Sequence, residues 1–132
     1  MNIGQAATAS GIPAKMIRYY EETGLIPAAS RTECGYRAYD TKDVQTLRFI
    51  HRARHLGFSM EDIRQLLSLW QDRHRTSADV RALALAHITG LDLKLENLQT
   101  MQRTLKHLIA HCEGDDRPDC PILDDLAKKA RH

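Results

Sequence analysis

The stretch from Ser77 to Cys112 constrains the fold of this chain more than any other segment. Apolar side chains recur in it every seven residues and four positions further on, while charged side chains fall largely outside that face. The pattern predicts one helix of roughly 50 Å at about 1.5 Å per residue, with Ser77 as its N-cap and Asp79 in its first turn. We call these residues the apolar stripe: Ala84, Ile88, Leu91, Leu95, Leu98, Leu105 and Ile109.

Such a helix needs a partner. A chain of 132 residues has room for one compact domain, or for a small domain with an extended arm. Its own core cannot cover a stripe of that length, so the sequence predicts that a second copy covers it. The alternative is a helix packed within an intramolecular bundle. Gly90 weakens the pattern, since glycine costs about 1 kcal/mol relative to alanine in a helix interior.

Composition and charge narrow the class of protein. Hydrophobic residues make up 42% and charged residues 27%, as in ordinary soluble proteins. No apolar run approaches the length of a membrane span, and the first residues do not resemble a signal peptide, so we expect a cytoplasmic protein without a membrane partner. Residues 1–76 carry 11 Lys and Arg against 8 Asp and Glu, whereas residues 77–132 carry 8 against 9. The mildly basic front half could therefore meet a polyanion.

Two short helices open the chain. Asn2 with Gln5 indicates a capping box at the start of the first, and Gly11 can adopt the left-handed conformation of a tight turn. Pro13 suits the first position of a second helix, which should run to about Glu22. Two short helices joined by a glycine-containing turn predict a helix-turn-helix.

The second helix carries the first candidate binding residues. Ile17 should face the core, so that Lys15, Arg18 and either Tyr19 or Tyr20 project together. Cations beside an aromatic ring near a helix N-terminus can meet phosphates and base edges of DNA. The alternative is a solvated face with one of the two tyrosines packed inside.

A small β-hairpin is predicted next, over residues 30–39, with its turn at Gly35. Arg31 and Arg37 should flank its tip, where a hairpin that follows a helix-turn-helix forms a wing against the sugar-phosphate backbone. Cys34 lies at this turn, remote from the other cysteines, and is predicted to have no role.

Two further helices should complete the front half. The third is capped by Asp40 or Thr41 and runs to about His55, and arginines on its polar side could touch phosphates. These arginines are Arg48, Arg52 and Arg54. The fourth opens at Ser59 and carries Trp70 near its end, which we interpret as an anchor against the long helix.

A cysteine pair follows the long helix. Three cysteines in a cytosolic chain argue against a disulfide framework and favour metal or redox chemistry. Between Cys112 and Cys120 lie seven residues rich in Gly, Pro and Asp, which allow the chain to fold back and bring the two thiols together. Pro121 suits the first turn of a short helix to about Ala130, with Cys120 as its cap residue.

The spacing alone leaves the chemistry of this pair open. Two thiolates suit a soft monovalent ion such as Cu(I), which accepts two ligands. Zinc normally takes four ligands, and His107 and His111 stand one helical turn apart, where they could complete a tetrahedral site. A reversible disulfide and a purely structural loop are the other two interpretations.

Taken together, these motifs resemble the MerR family of metal-responsive transcriptional regulators, and within it the copper-efflux branch. The resemblance covers nearly the whole chain. It departs from the family pattern at Pro13, where a hydroxyl cap is usual, and at Cys34, a wing position that is often Asn or Ser. The matching residues are Arg18-Tyr19-Tyr20-Glu21, Gly24-Leu25, Gly35-Tyr36-Arg37, Tyr39, Ser77-Ala78-Asp79-Val80, Cys112, Gly114-Asp115-Asp116 and Asp119-Cys120-Pro121-Ile122.

The resemblance implies a mainly α fold with four parts. Residues 1–70 would form a winged helix-turn-helix DNA-binding head and residues 71–76 a linker. Residues 77–111 would form a long antiparallel coiled-coil dimerisation helix, and residues 112–132 a metal-binding loop with a short helix. No nucleophile–base pair, phosphate loop or open metal site can be placed on the sequence, so an enzyme is not expected.

The resemblance also implies residue roles and a mechanism. Cys112 and Cys120 become ligands of one ion per subunit, and Ser77, where members that sense divalent ions have cysteine, favours Cu(I), Ag(I) or Au(I). The metal-bound homodimer would bend and untwist a promoter whose two elements are spaced too widely, so that RNA polymerase meets both. The implied DNA contacts are Lys15, Arg18, Tyr20, Arg31, Tyr36, Arg37 and Arg54.

Rival functions are a zinc- or redox-responsive regulator of the same fold, or a metal buffer that does not bind DNA.

Overall fold

The computed structural model describes residues 1–32, 35–112, 114 and 120–128. Within them the chain is mainly helical, as predicted, and it divides into two compact units, Met1–Leu83 and Ala84–His132. The elements in chain order are α1 (Ile3–Ser10), α2 (Ala14–Glu22), β1 (Ser30–Arg31), β2 (Arg37–Ala38), α3 (Thr41–His55), α4 (Met60–Gln71), α5 (Ser77–Ala110) and α6 (Pro121–Leu126).

The predicted helix-turn-helix is present in α1 and α2. Asn2 and Gln5 form the expected capping box, in which each side chain accepts a hydrogen bond from the other residue's backbone N–H. Gly11 ends α1 with a φ of 79°, a conformation that side chains with a Cβ rarely adopt. Pro13 lies one residue earlier than predicted: it is the N-cap of α2, with extended ψ of 144° and no side-chain hydrogen bond, because a proline ring has none to offer.

The wing is a two-stranded antiparallel hairpin, again as predicted. Ser30 pairs with Ala38 and Arg31 with Arg37. Gly35 turns the chain with a φ of 82°, and the Arg31 Nη1 donates a hydrogen bond of 2.9 Å to its carbonyl oxygen. Positions 33 and 34 lie outside the described residues, and the prediction that Cys34 has no role falls there.

One hydrophobic core holds the first unit together. It combines residues of α1 to α4 with the segments on either side of the wing, so the wing and α2 are fixed to a common centre. The buried hydrophobic residues are Ala6, Ile12, Ile17, Tyr20, Leu25, Ile26, Tyr39, Val44, Leu47, Ile50, Ala53, Ile63 and Leu67.

Replacing Ile50 by alanine should lower the free energy of unfolding of this unit by about 2–5 kcal/mol, because the side chain is fully buried and its loss leaves a cavity. Urea denaturation followed by circular dichroism measures this. Gln45→Ala, at an exposed position of the same helix, is the matched control and should change stability by less than about 0.5 kcal/mol. Equal denaturation midpoints for the two variants would contradict the assignment of this core.

Caps and long-range arginine bonds fix α3 and α4. Asp40, one of the two predicted cap residues, caps α3 in a capping box with Asp43, and Ser59 caps α4 as predicted. Arg48 on α3 donates from Nε to the Ala9 carbonyl oxygen near the end of α1, at 3.0 Å. This arginine, predicted as a possible phosphate contact, therefore ties α3 to α1.

Arg64 makes a second tie of this kind. Its two terminal nitrogens donate to the carbonyl oxygens of Thr23 and Gly24 at the end of α2, each at 3.3 Å. The ring of Trp70, at the other end of α4, stacks on Phe49 of α3 with centroids 4.5 Å apart.

The long helix α5 is continuous through Gly90. Its N-cap is Thr76 and not Ser77, because the Thr76 hydroxyl accepts from the Asp79 N–H while the Asp79 carboxylate accepts from the Thr76 N–H. It ends at Ala110, one residue before the predicted end at position 111, and the N–H groups of His111 and Cys112 donate to the carbonyls three residues back, of Leu108 and Ile109. No residue of α5 is buried within the chain.

The short helix α6 begins as predicted, with Cys120 at the N-cap and Pro121 in the first turn. It ends at Leu126, earlier than the predicted Ala130, because the Lys128 N–H bonds to the Asp125 carbonyl three residues back and closes the last turn. None of the helices in the described part of the chain combines the length and apolar character that crossing a bilayer requires.

Candidate nucleic-acid interface and metal centre

The exposed face of α2 presents cations beside one tyrosine. Lys15 and Arg18 are exposed, and Ile17 is fully buried on the opposite side, as predicted. Of the two tyrosines, Tyr19 is 47% exposed and Tyr20 only 3%. The Tyr20 ring belongs to the core, because it follows Ile17 at the three-residue spacing of one helix face. The Tyr20 ring is therefore not exposed for the DNA contact that was predicted for it, and Tyr19 is the accessible aromatic residue of this face.

A shallow groove of about 180 Å³ lies between the start of α1, α2 and the wing. Three of the predicted DNA-binding arginines line it, one from α2 and one from each strand of the wing, so that three cationic residues surround one cleft. Arginine suits such a place, because its planar fork of N–H donors matches phosphate oxygens. The groove is lined by Asn2, Ile3, Arg18, Arg31, Gly35, Tyr36 and Arg37.

Two of these arginines are oriented by bonds within the protein. Arg31 bonds to Gly35 across the turn, and the Arg37 Nε donates to the Glu21 Oε2 at 3.1 Å. A guanidinium carries five N–H donors, so one such bond positions it and leaves capacity for a phosphate. Tyr36, 72% exposed, stands at the edge of the groove and can reach a ligand there.

Glu21 is the residue of this region to which the sequence patterns assign no role. Its side chain is 7% exposed, and its Oε1 accepts a hydrogen bond from the Tyr39 hydroxyl while Oε2 accepts from Arg37. Burial raises the pKa of the Tyr39 phenol, and the hydrogen bond to the Glu21 carboxylate raises it further. Its partners are 16 and 18 positions away in the chain, so no local pattern could have revealed it.

Two of the predicted DNA contacts lie outside this groove. Lys15 is exposed in the first turn of α2, and Arg54 is exposed in the last turn of α3. They widen the basic surface of the first unit without sharing the cleft of the three arginines.

The predicted metal ligands flank the loop between α5 and α6. Cys112 follows α5, with its N–H bonded to the Ile109 carbonyl at 3.0 Å, and Cys120 caps α6. Both are free thiols and both are half-buried, a state in which they are accessible to a metal ion. Position 113 and positions 115–119 lie outside the described residues.

The two histidines named as possible zinc ligands stand together at the end of α5. The rings of His107 and His111 are 4.3 Å apart, and the His111 Nδ1 lies 2.8 Å from the His107 carbonyl oxygen. Among the residues described, three or more metal-binding side chains of the His, Cys, Asp and Glu types do not gather at any one place. Ser77, the predicted selectivity position, is the first residue of α5 and is exposed.

Two family models match this chain. One described as "MerR HTH family regulatory protein" matches residues 1–70, and one described as "MerR, DNA binding" matches residues 44–108. Together they span both the helix-turn-helix with its wing and most of the long helix.

Known proteins with similar sequences and structures are also regulators. The "Heavy metal-dependent transcription regulator 2" of Rhizobium meliloti (strain 1021) is 60% identical over 127 residues, covering 96% of this chain and 86% of that protein. The "HTH-type transcriptional regulator CueR" of Salmonella typhimurium is 39% identical over 132 residues, covering 100% of this chain and 96% of that one. The crystal structure of PbrR691 from Ralstonia metallidurans CH34, in complex with lead(II), has a TM-score of 0.81 and 34% identity, covering 96% of this chain and 99% of that chain.

Proposed function

The chain belongs to the MerR family of helix-turn-helix transcriptional regulators, and from that premise we propose that it activates transcription in the cytoplasm when Cys112 and Cys120 bind one soft monovalent ion per subunit. It is a heavy-metal-responsive regulator and not an enzyme.

The observation that carries the choice of ion is the pair of free, half-buried thiols on either side of one loop. Soft thiolate ligands select soft ions, and two thiolates alone are enough to hold Cu(I), Ag(I) or Au(I). Ser77 supports the same choice, since family members that sense divalent ions carry cysteine at that position and this chain has none there.

The apolar stripe supports a homodimer. Every large stripe residue is more than one-third exposed in the single chain, from Ile88 to Ile109. A contiguous apolar face of this length on a helix without buried residues is unfavourable in water. We propose that residues 77–111 pair antiparallel with the same helix of a second copy and cover this face.

The groove of three arginines supports DNA binding by residues 1–70. We propose that Arg18, Arg31 and Arg37 meet backbone phosphates of promoter DNA, with Tyr36 beside them, while Lys15 and Arg54 make further backbone contacts. Phosphate contacts of this kind fix the register of a protein on the duplex.

The proposed mechanism joins the two ends of the dimer. Residues 71–76 would link each head to the dimerisation helix, and residues 112–132 would respond to the ion. Binding of the ion biases the dimer towards an arrangement that bends and untwists the promoter, so that RNA polymerase meets both promoter elements. Bending a promoter site costs on the order of 1–6 kcal/mol. This free energy would have to come from the difference in the ion's affinity for the two arrangements of the dimer.

Zinc sensing is the second candidate, because His107 and His111 stand together near the end of α5, which Cys112 follows in the chain, and they carry the nitrogen ligands that zinc accepts. Run-off transcription from a promoter fragment, with anaerobic additions of Cu(I), Ag(I), Au(I), Zn(II) or Pb(II) in parallel, separates the candidates. We expect transcript only with the monovalent ions. Activation by Zn(II) alone, with nitrogen ligands seen by X-ray absorption, would replace our proposal by the second candidate.

Replacing Arg18 by alanine should weaken DNA binding about tenfold and lower the slope of log affinity against log salt by about 0.9 for each phosphate that the protein no longer neutralises. Fluorescence anisotropy at several salt concentrations measures both. Arg103→Ala, an equal loss of charge on α5, should change neither quantity. A metal buffer that does not bind DNA would show no salt-dependent binding in the first place, and its metal uptake would survive Arg18→Ala.

A further inference from the structure

A single carboxylate fastens the wing to α2. Glu21 accepts from the Arg37 Nε with one oxygen and from the Tyr39 hydroxyl with the other. Its side chain is buried, and a buried carboxylate is tolerated only where such donors satisfy it. Both hydrogen bonds involve an ionised group, which makes them stronger than neutral ones.

The two partners of Glu21 lie on one face of the wing's second strand. Arg37 is in β2 and Tyr39 follows that strand directly, and residues two apart on an extended chain point to the same side. Two hydrogen bonds along this strand fix its angle to α2 as well as its distance from α2. Tyr36 precedes this strand, and it is exposed and lines the same groove as Arg37.

The carboxylate also resolves a conflict between two cations. Arg31 and Arg37 are direct cross-strand partners, and like charges in that position destabilise a hairpin. The ion pair of Arg37 with Glu21 compensates for this, so both arginines can remain in the groove that Arg18 lines from α2.

We propose that Glu21 is the positioning residue that holds the wing against α2, so that Arg18, Arg31 and Tyr36 meet a DNA duplex at the same time. This rests on the proposed DNA-binding function and adds a residue that does not itself touch DNA. Losing the position of the wing and losing the negative charge of Glu21 should have opposite effects on the affinity for DNA. A carboxylate near a polyanion is repulsive, so removing its charge alone would strengthen binding to any DNA.

The test compares two DNA duplexes: one enriched by the wild-type protein from a randomised pool, and a scrambled duplex of the same composition. Glu21→Gln should lower the ratio of the two affinities about tenfold, as expected for the loss of a hydrogen bond to a charged group. Its affinity for the scrambled duplex should stay equal or rise. Glu22→Gln, the same change of charge at the exposed neighbouring position, is the matched control and should leave the ratio unchanged.

A second variant guards against misfolding. Tyr39→Phe keeps the aromatic ring in the core and removes only the hydroxyl donor to Glu21. It should lower the ratio in the same direction, and the double variant should show a smaller reduction than the two single reductions combined, because both act through one contact. Circular dichroism melts establish that each variant is folded.

The outcomes separate this inference from the proposed function. If the wild type enriches no sequence, DNA recognition fails and this inference fails with it. If the wild type does select a sequence but folded Glu21→Gln and Tyr39→Phe keep its ratio, only the positioning role is overturned. An equal rise in both affinities for Glu21→Gln, which leaves their ratio unchanged, would likewise overturn it, because the loss of negative charge alone would then account for the result.

Discussion

Replacing Cys112 by serine should reduce metal-dependent transcription to the level seen without metal. A two-coordinate soft ion needs both thiolates, and a serine hydroxyl is a hard ligand that stays protonated. The affinity for promoter DNA should change by less than about twofold, as for a substitution remote from the binding surface. Run-off transcription with anaerobic Cu(I) measures the first quantity, and anisotropy measures the second.

Cys34→Ser is the matched control, since it makes the same thiol-to-hydroxyl change at a cysteine predicted to have no role. It should respond to Cu(I) like the wild type, while Cys120→Ser should behave like Cys112→Ser. A normal copper response in either loop variant would remove the two-thiolate site from the proposal.

Replacing Leu95 by glutamate should convert the protein to a monomer and weaken its binding to a promoter by about 10²–10⁴-fold. Leu95 is 56% exposed in the single chain and lies in the middle of the apolar stripe. The carboxylate of Leu95→Glu would therefore be buried only where two copies pair. A monomer also loses the gain in affinity that comes from linking two heads. Light scattering measures the mass, and anisotropy the binding.

Leu93→Glu provides the control, because Leu93 is 59% exposed and lies roughly 160° away around the helix axis at about 100° per residue. In a monomeric chain the two substitutions would have the same small effect. If only Leu95→Glu changes the mass, the stripe is an interface between copies. Equal behaviour of the two variants, or a wild type that is already monomeric, would contradict the proposed dimer.

Much of the fold could be predicted because its signals are local. The capping boxes at Asn2 and Asp40, the turn at Gly35 and the seven-residue repeat of α5 each involve residues a few positions apart. The helix boundaries that were predicted wrongly also depend on local contacts, but there neighbouring residues can take the same role. Thr76 and Ser77 both carry a hydroxyl, and only the hydrogen bonds to Asp79 show that Thr76 is the cap.

The candidate site was less accessible from the sequence. The choice between Tyr19 and Tyr20 is the exception, because Tyr20 follows the predicted core residue Ile17 at the three-residue spacing of one helix face. The roles of Glu21 and Arg48 depend on contacts between residues 16 to 39 positions apart in the chain. The periodicity of a sequence does not reveal contacts at such separations. Residue type suggested that arginines bind phosphate, but tertiary structure assigned one of them to the end of α1.

The arginine bonds have a consequence for how force passes through the first unit. Arg48 joins α3 to α1, Arg64 joins α4 to the end of α2, and Arg37 joins the wing to α2 through Glu21. Each of these bonds joins elements that already share the hydrophobic core, and bending the unit would strain both the core and at least one of the bonds. We therefore expect the first unit to rotate as a rigid body when a force acts on α4. The resulting strain would then fall on the bound DNA duplex and not on the protein.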